Sequence, residues 1–412
     1  MSRLTKPLRS LGNLLRLTID HAGRAVRAAW CRDGEAVGVH IRSLLLAWLD
    51  DISQTLVRLQ SATGWRRLTG RRIDHILVIK LDRIGDMVTT LPAFDALLEK
   101  YPGAKLDVVG HPLPLQLLAG DERINERIDY CCWLYHPLRP YPPGVKTLAL
   151  VARLMCRRYP LVVCLRGSFS FLPLAFTSRL AATKFMEGEP VVRRYLRAIE
   201  AVVGPVKGSY PRLAVDLDAR KYARHYLTTL GDSGPRIAIH ATASGGAKIW
   251  PAERFAALAD ELRRRCGAVV CFLGAPADES AMRKISGLAH FAHVYRTNLK
   301  LQQSVALISE CDLFIGNDSG LAHAAAAVDT PSVVIWGAPN LSMARPMARP
   351  GACIVLYHDL PCRSTCLEYR CHHKNTLECL TRTEVDYVIQ AAEKLLESAR
   401  TSKGALSCVP SI

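Results

Sequence analysis

Residues 311–337 read CDLFIGNDSGLAHAAAAVDTPSVVIWG, and this stretch decides the fold. Its pattern predicts a strand over Asp312–Gly316, a tight turn at Asn317-Asp318-Ser319-Gly320, a helix of small residues, and a second strand over Ser332–Trp336. Parallel strands need a helical crossover, so the stretch is one βαβ unit. The turn opens onto a helix N-terminus, where free backbone N–H groups and the helix dipole favour an anion. Ser319 adds a hydroxyl donor, and Gly320 lets a ligand approach the backbone closely. A diphosphate is the ligand that this turn suggests.

The same grammar recurs upstream. Ile76–Lys80 sits in HILVIK, a run suited to a strand buried on both faces. The turn LDRIGD follows, then a helical pattern at Met87, Val88, Leu91, Phe94, Leu97 and Leu98, which Pro92 kinks or restarts. Further strands are expected at Lys105–Val109, 161–165, Arg236–His240 and Ala268–Leu273, with helices at 145–158, 192–203 and 301–310. Pro251 suits the first turn of a helix that Gly267 ends. Alternation of this kind argues for parallel, doubly wound sheets. Two such halves, 73–205 and 236–383, suggest two Rossmann-like domains facing across a cleft, joined by a passage over 206–235 with room for one short helix. A last helix is expected at 384–399.

Composition is that of an ordinary globular chain: 412 residues, 49% hydrophobic and 22% charged. No apolar run reaches the length of a membrane span. The first thirty residues carry arginines throughout and show no signal-peptide core, so the 14 cysteines fit a reducing cytoplasm. The net charge of +17 is unevenly placed. Residues 1–72 hold 13 Lys+Arg against 5 Asp+Glu, close to half of the excess. Ile41, Leu45, Trp48, Ile52 and Leu59 recur there at helical spacing, which makes a basic amphipathic extension. Such an element packs on the body or a second subunit, or rests on anionic lipid. Nucleic acid is disfavoured, because no aromatic-bearing binding motif accompanies the charge.

Three loops follow predicted strands, at 81–86, 241–250 and 317–320, and ligands of open parallel sheets sit beyond the C-terminal strand ends. Asp86 is either a helix cap or a general base that takes a proton from a hydroxyl. Asp82 and Arg83 are substrate contacts or a surface ion pair. Lys248, in the exposed-looking loop ATASGGAKIW, is a solvated lysine or a phosphate ligand, with Thr242 and Ser244 as hydroxyl donors beside it. His323, three residues after Gly320, can reach the same anion. Asp318 repels phosphate and better suits a helix cap and sugar hydroxyls. Neither a Walker loop nor a G-x-G-x-x-G follows a strand. Asp216-Leu217-Asp218 spells D-x-D, but in the interdomain passage. Cys362, Cys366, Cys371, His372, His373 and Cys379 lack the paired short spacings of a strong zinc site. No metal and no cofactor are expected.

Together, ILVIKLDRIGDMVTTLPA, HATASGGAKIWPAERF and NDSGLAHAAAAVDTPSVVIWG resemble glycosyltransferase family 9, the ADP-heptose:lipopolysaccharide heptosyltransferases, over about residues 74–399. The resemblance implies a GT-B fold and a metal-independent, inverting transfer from a nucleotide-sugar, ADP-heptose, to an acidic glycolipid. It implies acceptor contacts in the first domain, donor contacts in the second, and a final helix packed back on the first. Asp86 matches the family's base and Lys248 its phosphate-binding lysine. Thr242, Asp318, Ser319, Gly320 and His323 match its donor motifs, and Asp278 or Glu279 falls near its acidic ribose contact. Asp82, Arg83, Gly85, Arg193 and Arg194 form the acceptor set. The implied place is the cytoplasm, on the cytoplasmic face of the inner membrane. Two departures stand out: the basic extension, and Asp82-Arg83 where heptosyltransferases carry small hydroxyl residues. Rival readings are transfer of another nucleotide-activated sugar to a different surface glycan, and a non-catalytic binder of the same fold.

Overall fold

The protein is described here by a computed structural model covering residues 48, 51–60, 72–131, 144–166, 169–183, 189–206, 208–231, 234–291, 293–337, 341–362, 371 and 376–407. It forms two compact units. The first comprises Met1–Arg83, Pro92–Leu115 and Glu122–Gly208; the second comprises Ile84–Leu91, Gln116–Asp121 and Ser209–Ile412.

The first unit is built on five parallel strands: β1 (His75–Lys80), β2 (Lys105–Gly110), β3 (Ile124–Asp129), β4 (Leu161–Arg166) and β5 (Arg179–Ala182). They lie in the order β3-β2-β1-β4-β5. The order reverses direction between β1 and β4, which is the hallmark of a doubly wound sheet. Its core gathers Leu77, Ile79, Val109, Leu154, Val162 and Leu174. A helix over 51–60, α1, belongs to this unit, with Leu56 and Val57 packed against that core. Two glutamines dock it. Gln54 Nε2 donates to the Ala182 carbonyl at 2.5 Å, and the buried Gln60 donates to the carbonyls of Ala175 (2.6 Å) and Ser178 (2.9 Å). The Gln60 Oε1 accepts from the Leu180 N–H at 2.9 Å. Part of the N-terminal extension therefore packs on the main body; residues 1–47, 49–50 and 61–71 lie outside the described residues.

The second unit holds six parallel strands: β6 (Arg236–His240), β7 (Val269–Leu273), β8 (Val294–Arg296), β9 (Leu313–Asn317), β10 (Ser332–Trp336) and β11 (Cys353–Tyr357). Their order is β11-β10-β9-β6-β7-β8, so this sheet switches direction between β6 and β9. The opening stretch supplies β9, a helix over Gly320–Ala327 and β10, as its pattern predicts. Gly267 takes the left-handed conformation (φ 65°) that ends the helix Ala252–Cys266, a geometry open to glycine.

Two expectations are corrected. The helix Val385–Ser407 buries Val388, Ile389, Ala392, Leu395 and Leu396 in the core of the second unit, where they join Trp250, Phe255, Val333 and Ile335. Its apolar face thus belongs to the second domain rather than to the first. The passage over 206–235 holds one helix, as its sequence suggests, but it belongs mostly to one domain rather than standing between two. The helix is Leu217–Thr228, and Leu213 N–H donates to the Ala327 carbonyl at 2.9 Å, so most of the passage is part of the second unit. Among the described residues no helix is long and apolar enough to cross a membrane.

Candidate active site

Strands β6 and β9 lie side by side, paired from Ile237↔Leu313 to His240↔Gly316. The loops leaving their C-terminal ends carry the residues singled out from the sequence. In a doubly wound sheet this switch point is where a crevice opens.

Lys248 is buried, contrary to the exposure expected of its glycine-bearing loop. It closes a short turn, Gly246–Lys248, and its Nζ sits 2.8 Å from the Asp318 carboxylate, which is also buried. The loop is held from below: Trp250 N–H donates to Asn317 Oδ1 at 3.1 Å, and Trp250 Nε1 to the Thr383 carbonyl at 2.9 Å. A Cβ on Gly337 would lie 2.6 Å from the Ala247 carbonyl oxygen, so only glycine admits the loop over the end of β10. Asp318 does not cap the helix; Ser319 occupies the N-cap position and Asp318 neutralises Lys248.

Asp86 reaches this region through an unexpected packing. The short helix Ile84–Val88 (α2) is part of the second unit and lies on the helix Gly320–Ala327 (α3). Two glycines make the approach possible. A Cβ on Gly320 would meet the Ile84 side chain at 2.6 Å, and one on Gly85 would meet the His323 ring at 2.8 Å. Asp86 is half-buried in the first turn of α2, not at its cap. Its carbonyl accepts from the hydroxyls of Thr89 (2.9 Å) and Thr90 (2.8 Å). Burial pushes the His323 imidazole below its ordinary pKa, while the carboxylates of Asp318 and Asp86 pull it back up and Lys248 lowers it further. The imidazole is therefore neutral near pH 7.

Two polar atoms here, buried and without a hydrogen-bond partner among the described residues, are Asn317 Nδ2 and His323 Nδ1. Buried polar groups are nearly always satisfied, so a pair of orphans beside a helix N-terminus fits a polar ligand. Thr242 is buried; Ser244 is exposed. Sequence reasoning missed His240, which hydrogen-bonds both Thr242 and Ser319. The one signal was a polar residue closing the aliphatic strand RIAIH.

The remaining candidates are placed differently. Glu279 accepts from the Thr297 hydroxyl and pairs with Arg283 at 3.2 Å, and Asp278 accepts from Ala275 N–H at 2.7 Å. Asp82 is not a surface contact. It forms a buried pair with Lys80 (2.6 Å), with Arg166 at 3.8 Å, and Lys80 also donates to the Tyr195 hydroxyl at 2.5 Å. Arg193 pairs with Glu200 at 2.5 Å, Arg194 is buried, and Arg83 is half-buried. Asp216 caps the helix Leu217–Thr228 by accepting from Ala219 N–H at 3.0 Å, while Asp218 pairs with Lys221 at 3.3 Å. In the cysteine-rich segment Cys379 is buried in the core with Cys362 against it; Cys366, His372 and His373 lie outside the described residues. A cavity of about 610 Å³ in the first unit, lined by Glu126, Asp129, Lys146 and Arg153 among others, holds none of the candidates.

Two doubly wound parallel domains, one with an anion-receptive switch point, make up the GT-B fold. The family model "Glycosyltransferase family 9 (heptosyltransferase)" matches residues 149–376, more than half of the chain, and the chain belongs to that family. It is 27% identical over 321 residues to the lipooligosaccharide heptosyltransferase 2 of Haemophilus ducreyi, covering 68% of this chain and 88% of the relative. It is 25% identical over 296 residues to an Escherichia coli lipopolysaccharide heptosyltransferase 3, covering 64% and 82%. Among solved structures, a family 9 glycosyltransferase from Veillonella parvula superposes with a TM-score of 0.67 at 20% identity, over 80% of this chain and 98% of that one. The E. coli ADP-heptose lps heptosyltransferase II gives 0.65 at 22% identity, over 79% and 99%. These two likenesses concern the fold.

Proposed function

We propose that the chain moves a heptose, or a closely similar sugar, from an ADP-activated donor to a lipopolysaccharide-type acceptor, with inversion and without a metal. The observation that carries this is the gathering of Asp86, Lys248, Asp318 and His323 at the β6–β9 switch point, beside two orphaned polar atoms and a helix N-terminus. An inverting displacement needs a base on the attacking hydroxyl and compensation for charge that builds on the leaving diphosphate. The Asp86 carboxylate takes the hydroxyl proton as the acceptor oxygen bonds to the anomeric carbon. The bond from that carbon to the diphosphate oxygen breaks, and Lys248 with the N-terminal N–H groups of α3 meets the charge left there. Asp318 holds Lys248 in place and accepts from sugar hydroxyls. Thr242, Ser319 and Gly320 line the same anion, with Ser244 and Glu279 further out. Of the acceptor set, Arg83 and the exposed Arg193 are offered to the acceptor, whereas Asp82 and Arg194 are buried and Gly85 packs on His323, so their part is to shape the loops. The relatives' names, with lipopolysaccharide and ADP-heptose in them, support the choice of substrates. An acceptor of that kind places the enzyme on the cytoplasmic face of the inner membrane, with the basic extension as its contact.

Paired substitutions test the division of labour. Asp86→Ala should lower turnover by roughly 10²- to 10⁴-fold and leave ADP affinity nearly intact. Lys248→Ala should weaken ADP binding in calorimetry. Turnover like that of the wild type in the first, or equal affinity in the second, removes the corresponding role. Calorimetry with ADP, UDP and GDP separates this donor from other nucleotide-activated sugars.

A further inference from the structure

Strand β6 ends on His240, buried among the hydroxyls of the donor site. Its Nδ1 lies 3.0 Å from Ser319 Oγ and its Nε2 lies 3.2 Å from Thr242 Oγ1. One imidazole thus ties the loop after β6 to the turn after β9. A second observation is independent of these distances. Ser319 stands at the N-cap of α3 and makes no side-chain capping bond. A serine there ordinarily accepts from the second or third N–H of the helix. Here its hydroxyl is engaged by His240 instead.

We propose that His240 is a positioning residue for the donor diphosphate: it draws the Ser319 hydroxyl off the helix cap and orients the Thr242 hydroxyl, leaving the α3 N-terminus open to the anion. The inference rests on the donor reading above and concerns how that site is prepared. Proton counting gives it a direction. A neutral imidazole carries one N–H. That nitrogen donates to one hydroxyl, which keeps its own proton for a phosphate oxygen. The other nitrogen accepts a hydrogen bond from the second hydroxyl, which then offers lone pairs alone and suits a sugar hydroxyl. Burial supports the single-proton state, holding the His240 pKa down to about 4 although the Asp278 carboxylate pulls it upward. A histidine that only filled space would produce neither the directional chain nor the uncapped serine.

The test uses the full chain. ADP affinity is measured by calorimetry for the wild type, His240→Phe and His240→Asn, together with KM for the nucleotide-sugar and kcat. His240→Phe should bind ADP about tenfold more weakly, as loss of an oriented hydrogen bond predicts, with KM rising in step and kcat changing less. His240→Asn, which retains one bonding arm, should recover part of the loss. In the wild type, nitrogen NMR of the imidazole should show one neutral tautomer whose ring shifts move when ADP saturates the site. Affinity within twofold of the wild type in both variants overturns the proposal, as do ring shifts that ADP leaves unmoved. If His240→Phe does not fold, the wild-type NMR titration decides. Should the wild type bind UDP or GDP and not ADP, the donor assignment fails; the ratio between wild type and variant is then read with that nucleotide, against the same two outcomes.

Discussion

At the scale of single residues, the site is a set of charges and imidazoles kept out of water. Lys248 and Asp318 neutralise one another, and two histidines stay uncharged because burial penalises their ionised form. This has a consequence for acid stability. The folded pKa of His240 is about 4, below the ordinary value of 6.5, and His323 is shifted in the same direction. Between those values the unfolded chain binds protons that the folded chain refuses. The contribution of His240 to stability is therefore complete above about pH 6.5 and is lost as pH falls towards 4, and His323 adds to it in the same direction. Urea denaturation at pH 7 and pH 5 should show a lower midpoint at pH 5, and His240→Phe should show a smaller drop than the wild type. An equal drop in both would remove His240 from the account. Legibility at this scale was uneven. Asp86, Lys248 and the Asp318–Gly320 turn could be picked out because each follows a strand. The Lys80–Asp82–Arg166 cluster could not, since a lysine closing HILVIK looks like a solvated strand end until the side chain is seen buried against Tyr195.

At the scale of elements, the decisive contact is α2 against α3. Neither helix is long, and α2 has only five residues, so its place depends on packing more than on propensity. Gly85 and Gly320 supply the closeness. Gly320→Ala drives a methyl into Ile84, and overpacking of this kind costs about 1–3 kcal/mol. The prediction is a lowered urea midpoint, with kcat falling more than ADP affinity, because α2 carries Asp86 while Lys248 is held by Asn317, Trp250 and Gly337. Unchanged kcat would mean that the contact does not set the position of Asp86. The four strands that the sequence reading missed, β3, β5, β8 and β11, share a physical trait. β3 exposes Asn125, Arg127 and Asp129 and buries only Ile128, β5 has four residues and β8 three, and every residue of β11 is only half-buried. All four are edge strands, and they lack the long continuous apolar run that betrays a central one. The central strands β1, β6, β9 and β10 were readable for the opposite reason.

At the scale of the molecule, the basic extension is two things joined together. Residues 51–60 are part of the first unit, docked by Gln54 and Gln60. Residues 1–47 hold eight Lys+Arg against three Asp+Glu, the charge that an anionic bilayer would attract. A cut after residue 72 confounds the two, because it removes Gln60 and strips partners from the backbone groups of Ala175, Ser178 and Leu180. Buried groups left unpaired cost about 1–3 kcal/mol each, so that truncation should unfold at a visibly lower temperature. A cut after residue 47 should keep the melting temperature and ADP affinity of the whole chain. Sedimentation with vesicles containing anionic lipid then tests the membrane contact cleanly: the chain lacking residues 1–47 should bind less than the full chain, and the difference should shrink as salt is raised. Equal sedimentation of the two at low salt would place the contact elsewhere on the enzyme.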